Sequence, residues 1–213
     1  MPRPKTLPDL DVLEAAYKLM HQRGPEGVTF AAVAQVCGLS GSTLVQRFKS
    51  KPQLLRSTLS YAWDRLDEKT AALAAEVPKT PDGAIELLTA LSGDYGGIEA
   101  YAEGLLILRE DLRDPVLRSR GAVWKAELSR ALEDRFAKVP RAPKGIGLLM
   151  AAQWQGSLLW WSFDPQGSVA SFVEDSLRHF VSAIAASAPA SRRRQPALAS
   201  VARAGRSTKS RKP

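Results

Sequence analysis

Residues 29–55 read TFAAVAQVCGLSGSTLVQRFKSKPQLL, two short helical patterns joined by a glycine-containing turn and followed at once by a third. Phe30, Val33, Ala34 and Val36 supply an apolar face for the first helix, and Leu39, Leu44 and Phe48 supply one for the second. Thr29 and Ser40 stand just before the two patterns, where a hydroxyl accepts a free amide of the first turn. Gly38 occupies the turn, where the chain reverses within about three or four residues and glycine takes a positive φ without steric cost. Lys51 opens the third helix, and Leu54 and Leu55 begin its apolar side. A cation beside the free amides of a helix start attracts a phosphate. Together these features lay out a helix-turn-helix reader of double-stranded DNA.

The segment resembles the N-terminal domain of the TetR family of bacterial repressors. The residues that carry the likeness are Gly27, Thr29, Ala34, Gly38-Leu39-Ser40, Thr43-Leu44, Phe48 and Ser50-Lys51. They fall within residues 9–56, about a quarter of the 213-residue chain. The family usually carries a phosphate-contacting tyrosine where this chain has Val45, followed by Gln46 and Arg47. The resemblance therefore implies that this contact is absent or is replaced by Arg47. It further implies an all-α architecture of about nine helices, whose later helices form an effector-binding and dimerising domain.

Composition agrees with an all-helical chain. Glycine and proline cluster at breaks near residues 23–25, 78–83, 93–97 and 164–167, and the segments between are long, alanine- and leucine-rich and periodic. The spacing predicts helices over 9–23, 30–36, 41–48, 52–76, 84–91, 98–112, 115–138, 144–163 and 169–186. Residues 1–56, with an arm at 1–8, form the expected DNA-binding domain; 57–188 form the second domain, and 189–213 a basic tail. No run approaches the roughly 18 unbroken apolar residues of a membrane span, and the N-terminus lacks an apolar signal-peptide centre, so a soluble, cytoplasmic protein is expected.

Cys37 is the single cysteine, so neither an intrachain disulfide nor a cysteine-based zinc site is expected. His21 and His179 are far apart and outside any ligand-spaced cluster, and no metal or cofactor is predicted. Of the 30 cations, eight lie in residues 191–213 without any acid, which leaves 22 cations against 22 acids elsewhere. Within that neutral body, residues 1–56 hold eight cations and four acids. A basic head on an acidic base suits a reader of polyanions whose other part does something else. The tail reads as disordered, either a salt-dependent DNA-binding arm or a solvated extension.

A reader helix inserts its N-terminal residues into the major groove. Ser42, Thr43 and Gln46 are the candidates for base contact, with Gly41 permitting close approach and Ser40 opening the helix. The Gln46 amide can pair with the edge of adenine through two hydrogen bonds. Thr29, Arg47, Lys49 and Lys51 are expected to hold phosphates and set the register. Arg3 and Lys5 lie in a proline-flanked arm of the kind that can enter a minor groove.

Residues 146–163, IGLLMAAQWQGSLLWWSF, carry Trp154, Trp160 and Trp161 on a helix apolar on nearly all sides, which needs cover on more than one face. Pairing with 169–186 in a four-helix interface of a two-fold dimer would supply it, with Gly156 and Ser157 allowing close approach. The alternative is ordinary core within one chain. For an inducer cavity, Tyr61, Trp63, Tyr95 and Tyr101 are candidate aromatic walls. Trp124, Trp154 and Phe163 extend the series, and Glu103 and Gln153 are the polar candidates.

The expected protein is a homodimeric, non-enzymatic repressor released from a palindromic operator by a small apolar or aromatic effector. Glycine-rich phosphate loops on strands, nucleophile elbows and paired histidines are all missing from the sequence. The rival reading is a non-catalytic ligand- or partner-binding protein that keeps the fold without specific DNA binding, and Val45 is the feature that supports it.

Overall fold

The computed structural model describes residues 7–93 and 96–187. Arg3 and Lys5 of the arm, Tyr95, and the cation-rich tail expected at 189–213 lie outside the described residues. Within them the chain runs α1 (Asp9–Arg23), a 3-10 turn (Pro25–Gly27), α2 (Phe30–Cys37), α3 (Gly41–Phe48) and α4 (Lys51–Glu76). It continues through α5 (Pro81–Ser92), α6 (Ile98–Arg113), α7 (Pro115–Asp134), α8 (Ile146–Phe163) and α9 (Val169–Ser187). The architecture is all-α, with nine α-helices and no strand among the described residues.

Short polar side chains mark the helix starts. Thr29, Ser40, Ser50, Thr80 and Asp114 accept the amides of Ala32, Thr43, Gln53, Gly83 and Val116 respectively. Each such cap satisfies an amide that has no partner within its helix, worth about 1 kcal/mol. The Thr80 cap and Pro81 explain why α5 begins at 81 and not at the expected 84.

Two further boundaries were set by tertiary contacts. The helix expected to reach 138 stops at Asp134, because the next residue, Arg135, turns its guanidinium into the protein. Its Nη1 donates to the Ala131 carbonyl at 2.6 Å, and its Nη2 donates to Ala74 at 2.9 Å and Val77 at 3.3 Å. Those last two carbonyls belong to the end of α4, which is thereby tied to α7. The helix expected from 144 starts at Ile146, after Gly145 with φ 77°. There the Glu133 carboxylate accepts the amides of Gly145 at 3.2 Å and Gly147 at 2.7 Å, a negative charge at a helix N-terminus.

The head is a small core of α1, α2, α3 and the start of α4, built on Val12, Leu19, Met20, Val33, Leu44 and Leu54, with Leu117 of α7 reaching into it. Val36 does not join this core as the sequence suggested. It is 60% exposed, and Cys37 is buried in its place, since positions 30, 33, 34 and 37 share one face of a helix and 36 does not.

The second core gathers α5, α7, α8 and α9 around Leu87, Leu132, Met150, Trp154, Leu158 and Leu177. At Gly147 an ideal Cβ would stand 1.9 Å from the Ser129 carbonyl oxygen, so α7 and α8 touch backbone to backbone there. Ser157 is not available to a second copy: it is buried, donating to the Gln153 carbonyl and lying 2.7 Å from Ser176 Oγ of α9. Gly156 has open space around it. What α8 leaves uncovered is the outward stripe of Leu148, Leu159, Trp160 and Phe163, the last two 70% and 74% exposed.

Candidate nucleic-acid interface and effector region

The reader helix α3 is two-sided. Leu44 and Phe48 are buried beneath it, while Gly41, Ser42 and Gln46 are exposed and Thr43 is half-buried. Val45 stands outward between Ser42 and Gln46, 45% exposed. Gly38, with φ 66° and ψ 29°, closes the turn before it in the left-handed region that favours glycine. Ser40 Oγ accepts the Thr43 amide at 3.1 Å and lies 2.8 Å from both Ser42 Oγ and Thr43 Oγ1, so the hydroxyls at the head of α3 form one linked group. Gly41 meets no atom within 4 Å of an ideal Cβ.

The cations around α3 have different duties. Lys49 carries φ 62° and ψ −50°, and the Ser50 amide reaches the Phe48 carbonyl at 2.6 Å, the geometry of a strained γ-turn that swings α3 into α4. Its ammonium donates to the Gln46 carbonyl at 2.6 Å. Lys51 Nζ lies 2.9 Å from Glu26 Oε2 and holds that exposed carboxyl below its usual range through the hydrogen bond and its charge. Arg47 turns away from the outer face and donates to the Leu7 carbonyl and to Asp9. Thr29 Oγ1 accepts the Ala32 amide, which leaves its own proton to donate outward. Burial pushes the Cys37 thiol up, disfavouring the reactive thiolate. Among the described residues no group of three or more His, Cys, Asp or Glu could hold a metal ion, and no helix is long and apolar enough to cross a membrane.

The residues named from the sequence as effector contacts divide into groups. Trp63 of α4, Trp124 of α7 and Trp154 of α8 form a row, with ring centroids 6.0 Å and 6.3 Å apart. Each indole N–H has a partner: Asp111 Oδ1 at 3.0 Å, Thr70 Oγ1 at 3.0 Å and Ser92 Oγ at 2.8 Å. Tyr101 is buried in the second core, and its phenol is pushed up by that burial. Glu103 is half-buried; its Oε2 has no hydrogen-bond partner and faces Gly24.

The remaining candidates point elsewhere. Tyr61 lies against Tyr17 of α1, accepts from Arg65 at 3.1 Å, and lines a cleft of about 330 Å³ between α1 and α4. Gln153 donates to Ser176 of α9 at 2.9 Å, and Phe163 is on the surface beside Trp160. Sequence reasoning missed Asp111, a buried carboxylate on α6 one turn beyond the half-buried Ile107. Helical spacing from Ile107 was the available signal.

Residues 12–58, the head and the first turns of α4, match the family described as bacterial regulatory proteins, tetR family. No curated protein matches the chain. A transcriptional regulator from Saccharomonospora viridis in complex with choline is similar in fold, with a TM-score of 0.65 at 17% identity, covering 80% of this chain and 93% of that one. A transcriptional regulator from Rhodococcus sp. Rha1 aligns with a TM-score of 0.62 at 18% identity, covering 84% and 96%. The multidrug binding protein EbrR complexed with imidazole aligns with a TM-score of 0.57 at 17% identity, also covering 84% and 96%. At these identities the likeness shows the fold, and the match of the head supplies the family. Residues 12–58 thus carry the tetR-family domain, set on an all-α fold shared with these regulators.

Proposed function

We propose that the protein is a homodimeric repressor that binds a palindromic operator and is released by a small effector. Residues 1–56 serve as the reader and 57–188 as the effector-binding and dimerising domain. The single observation that carries the DNA reading is the two-sidedness of α3, with Leu44 and Phe48 buried and the small or amide-bearing residues Gly41, Ser42 and Gln46 turned out. Ser42, Thr43 and Gln46 then read base edges, while Thr29, Lys49 and Lys51 take phosphates. Arg47, anchored to α1, positions the reader helix.

The exposed stripe of α8 supports the dimer. Trp160 and Phe163 side by side with Leu159 make an apolar patch that a second copy would cover through a two-fold axis. Two heads on one rigid base give the paired half-sites that such readers use. Effector release rests on α4, which carries the head at one end and Trp63 in the tryptophan row further along. Similar folds hold choline, imidazole and proflavin, which motivates a small organic effector here. Acting on DNA, the protein would work in the cytoplasm.

The test is a gel-shift selection with genomic fragments, using the full chain and a chain ending at residue 190. Sequence-selective retention by the shorter chain is the expected result. Binding that disappears with the tail would instead favour a ligand- or partner-binding protein without specific DNA recognition, the reading that exposed Val45 supports.

A further inference from the structure

Asp111 is 9% exposed and accepts the neutral indole N–H of Trp63. The nearby arginines are bonded elsewhere: Arg56 to Asp114, Arg113 to Glu110, and Arg120 to Asp64 and Asp67. Arg118 donates to the Leu112 carbonyl. Burial, and to a smaller extent the like charges of Asp114 and Glu110, push its carboxyl up to about 6 against the opposing pull of the Trp63 N–H. A carboxylate buried with only a neutral donor is costly, and a cation brought to it offsets part of that cost, most readily a weakly hydrated organic one.

The surroundings suit an organic cation. Trp63 is seated against Gly121, where an ideal Cβ would stand 3.3 Å from the indole edge, packs on the head core, and meets the Trp124 ring. Aromatic faces attract cations through their quadrupole, so a cation gains from the rings and the carboxylate at once, whereas a neutral molecule gains from the rings alone.

We propose that the seam between α4, α6 and α7 binds a small organic cation, an alkylammonium or protonated heteroaromatic amine, with Asp111 as counter-ion and Trp63 and Trp124 as walls. This rests on the effector reading above and names the chemical class of that effector. In the present structure the Trp63 N–H occupies the carboxylate, and the rings at 6.0 Å leave no room for a layer between them. A bound cation therefore replaces the Trp63 hydrogen bond and shifts Trp63. Because Trp63 belongs to α4, the difference in affinity between the two arrangements reaches the head.

The experiment titrates the full chain with phenyltrimethylammonium and with its neutral carbon isostere tert-butylbenzene, following tryptophan fluorescence. Saturable quenching with an affinity for the cation about tenfold or more above that for the isostere is expected. Asp111→Asn keeps an oxygen to accept the Trp63 N–H but carries no charge, and it should cut the preference at least severalfold, leaving what the ring faces supply. Equal affinities, no saturable response to the cation, or a preference undiminished in Asp111→Asn would each overturn the proposal. A neutral compound that binds and releases DNA while the cation does neither would overturn it and leave the effector reading standing. Failure of selective DNA retention would overturn the repressor reading and leave the cation preference to be judged by its own titration.

Discussion

Arg47 of the reader helix reaches back to Asp9 in the first turn of α1, its Nη1 3.1 Å from the Asp9 carboxylate and 2.6 Å from the Leu7 carbonyl oxygen. One guanidinium thus joins α3 to the start of the chain's first helix. Arg47→Ala should lower stability by about 1 kcal/mol, most of it from the partly buried bond to the carbonyl, because ion pairs to exposed carboxylates contribute little. Asp9→Ala should cost less. Urea unfolding of the two variants checks the order, and equal losses would contradict this division.

Lys51 and Gln46 should respond differently to substitution. Lys51→Ala removes a phosphate partner and should weaken binding to all DNA alike, with the slope of log affinity against log salt reduced by about 1. Gln46→Ala should leave that slope in place and relax preference at one base position, at a cost of about 1–3 kcal/mol for the preferred base. A salt series with two operator variants separates the outcomes.

The uncovered stripe on α8 makes a prediction about assembly. Phe163→Glu, at a side chain with few neighbours in its own chain, should yield monomers by sedimentation velocity while the helical signal is retained. Persistence of a dimer would place the interface on another face.

Gly147 is required by distance. An alanine Cβ 1.9 Å from the Ser129 carbonyl forces α7 and α8 apart, a cost of about 1–3 kcal/mol for overpacking a tight contact. Gly41→Ala meets open space and should leave the melting temperature close to that of the unsubstituted chain. Thermal melts of both variants compare a crowded glycine with an open one.

Asp111, held at about 6 by burial, has a sign that can be checked. Below about pH 4 the carboxyl is protonated in both states and contributes no pH dependence. Between about pH 4 and about pH 6 the unfolded chain releases the proton while the fold keeps it, so stability falls as pH rises, by on the order of 2–3 kcal/mol. Above that range the loss is constant. Asp111→Asn should flatten this slope and melt higher than the unsubstituted chain near neutral pH; a lower melting temperature there would argue that the charge has a compensating partner.

Much of the reader was legible in sequence because its signals are local. Thr29 and Ser40 cap helices three residues ahead, and the left-handed residue before α3 is a glycine. The interval 41–48 and the bounds of α1 needed no tertiary information. Val36 faces outward although an apolar residue one position out of register looks the same in composition, and only the burial of Cys37 shows which face turns inward. Among the candidate effector contacts, aromatic type alone could not separate Trp63, Trp124 and Trp154, which meet, from Tyr61 and Phe163, which face α1 and the surface.

Caps, breaks and periodicity act over a few residues, so the chain's own order determined its helices, its turn and its basic head. Packing decided what no short window contains. Arg135 closes the end of α4 from 58 residues away, Asp111 meets Trp63 across 48, and the Gly147 contact depends on how two helices cross. Such pairs depend on the rotation and crossing of whole helices, which are set jointly by every side chain in the core.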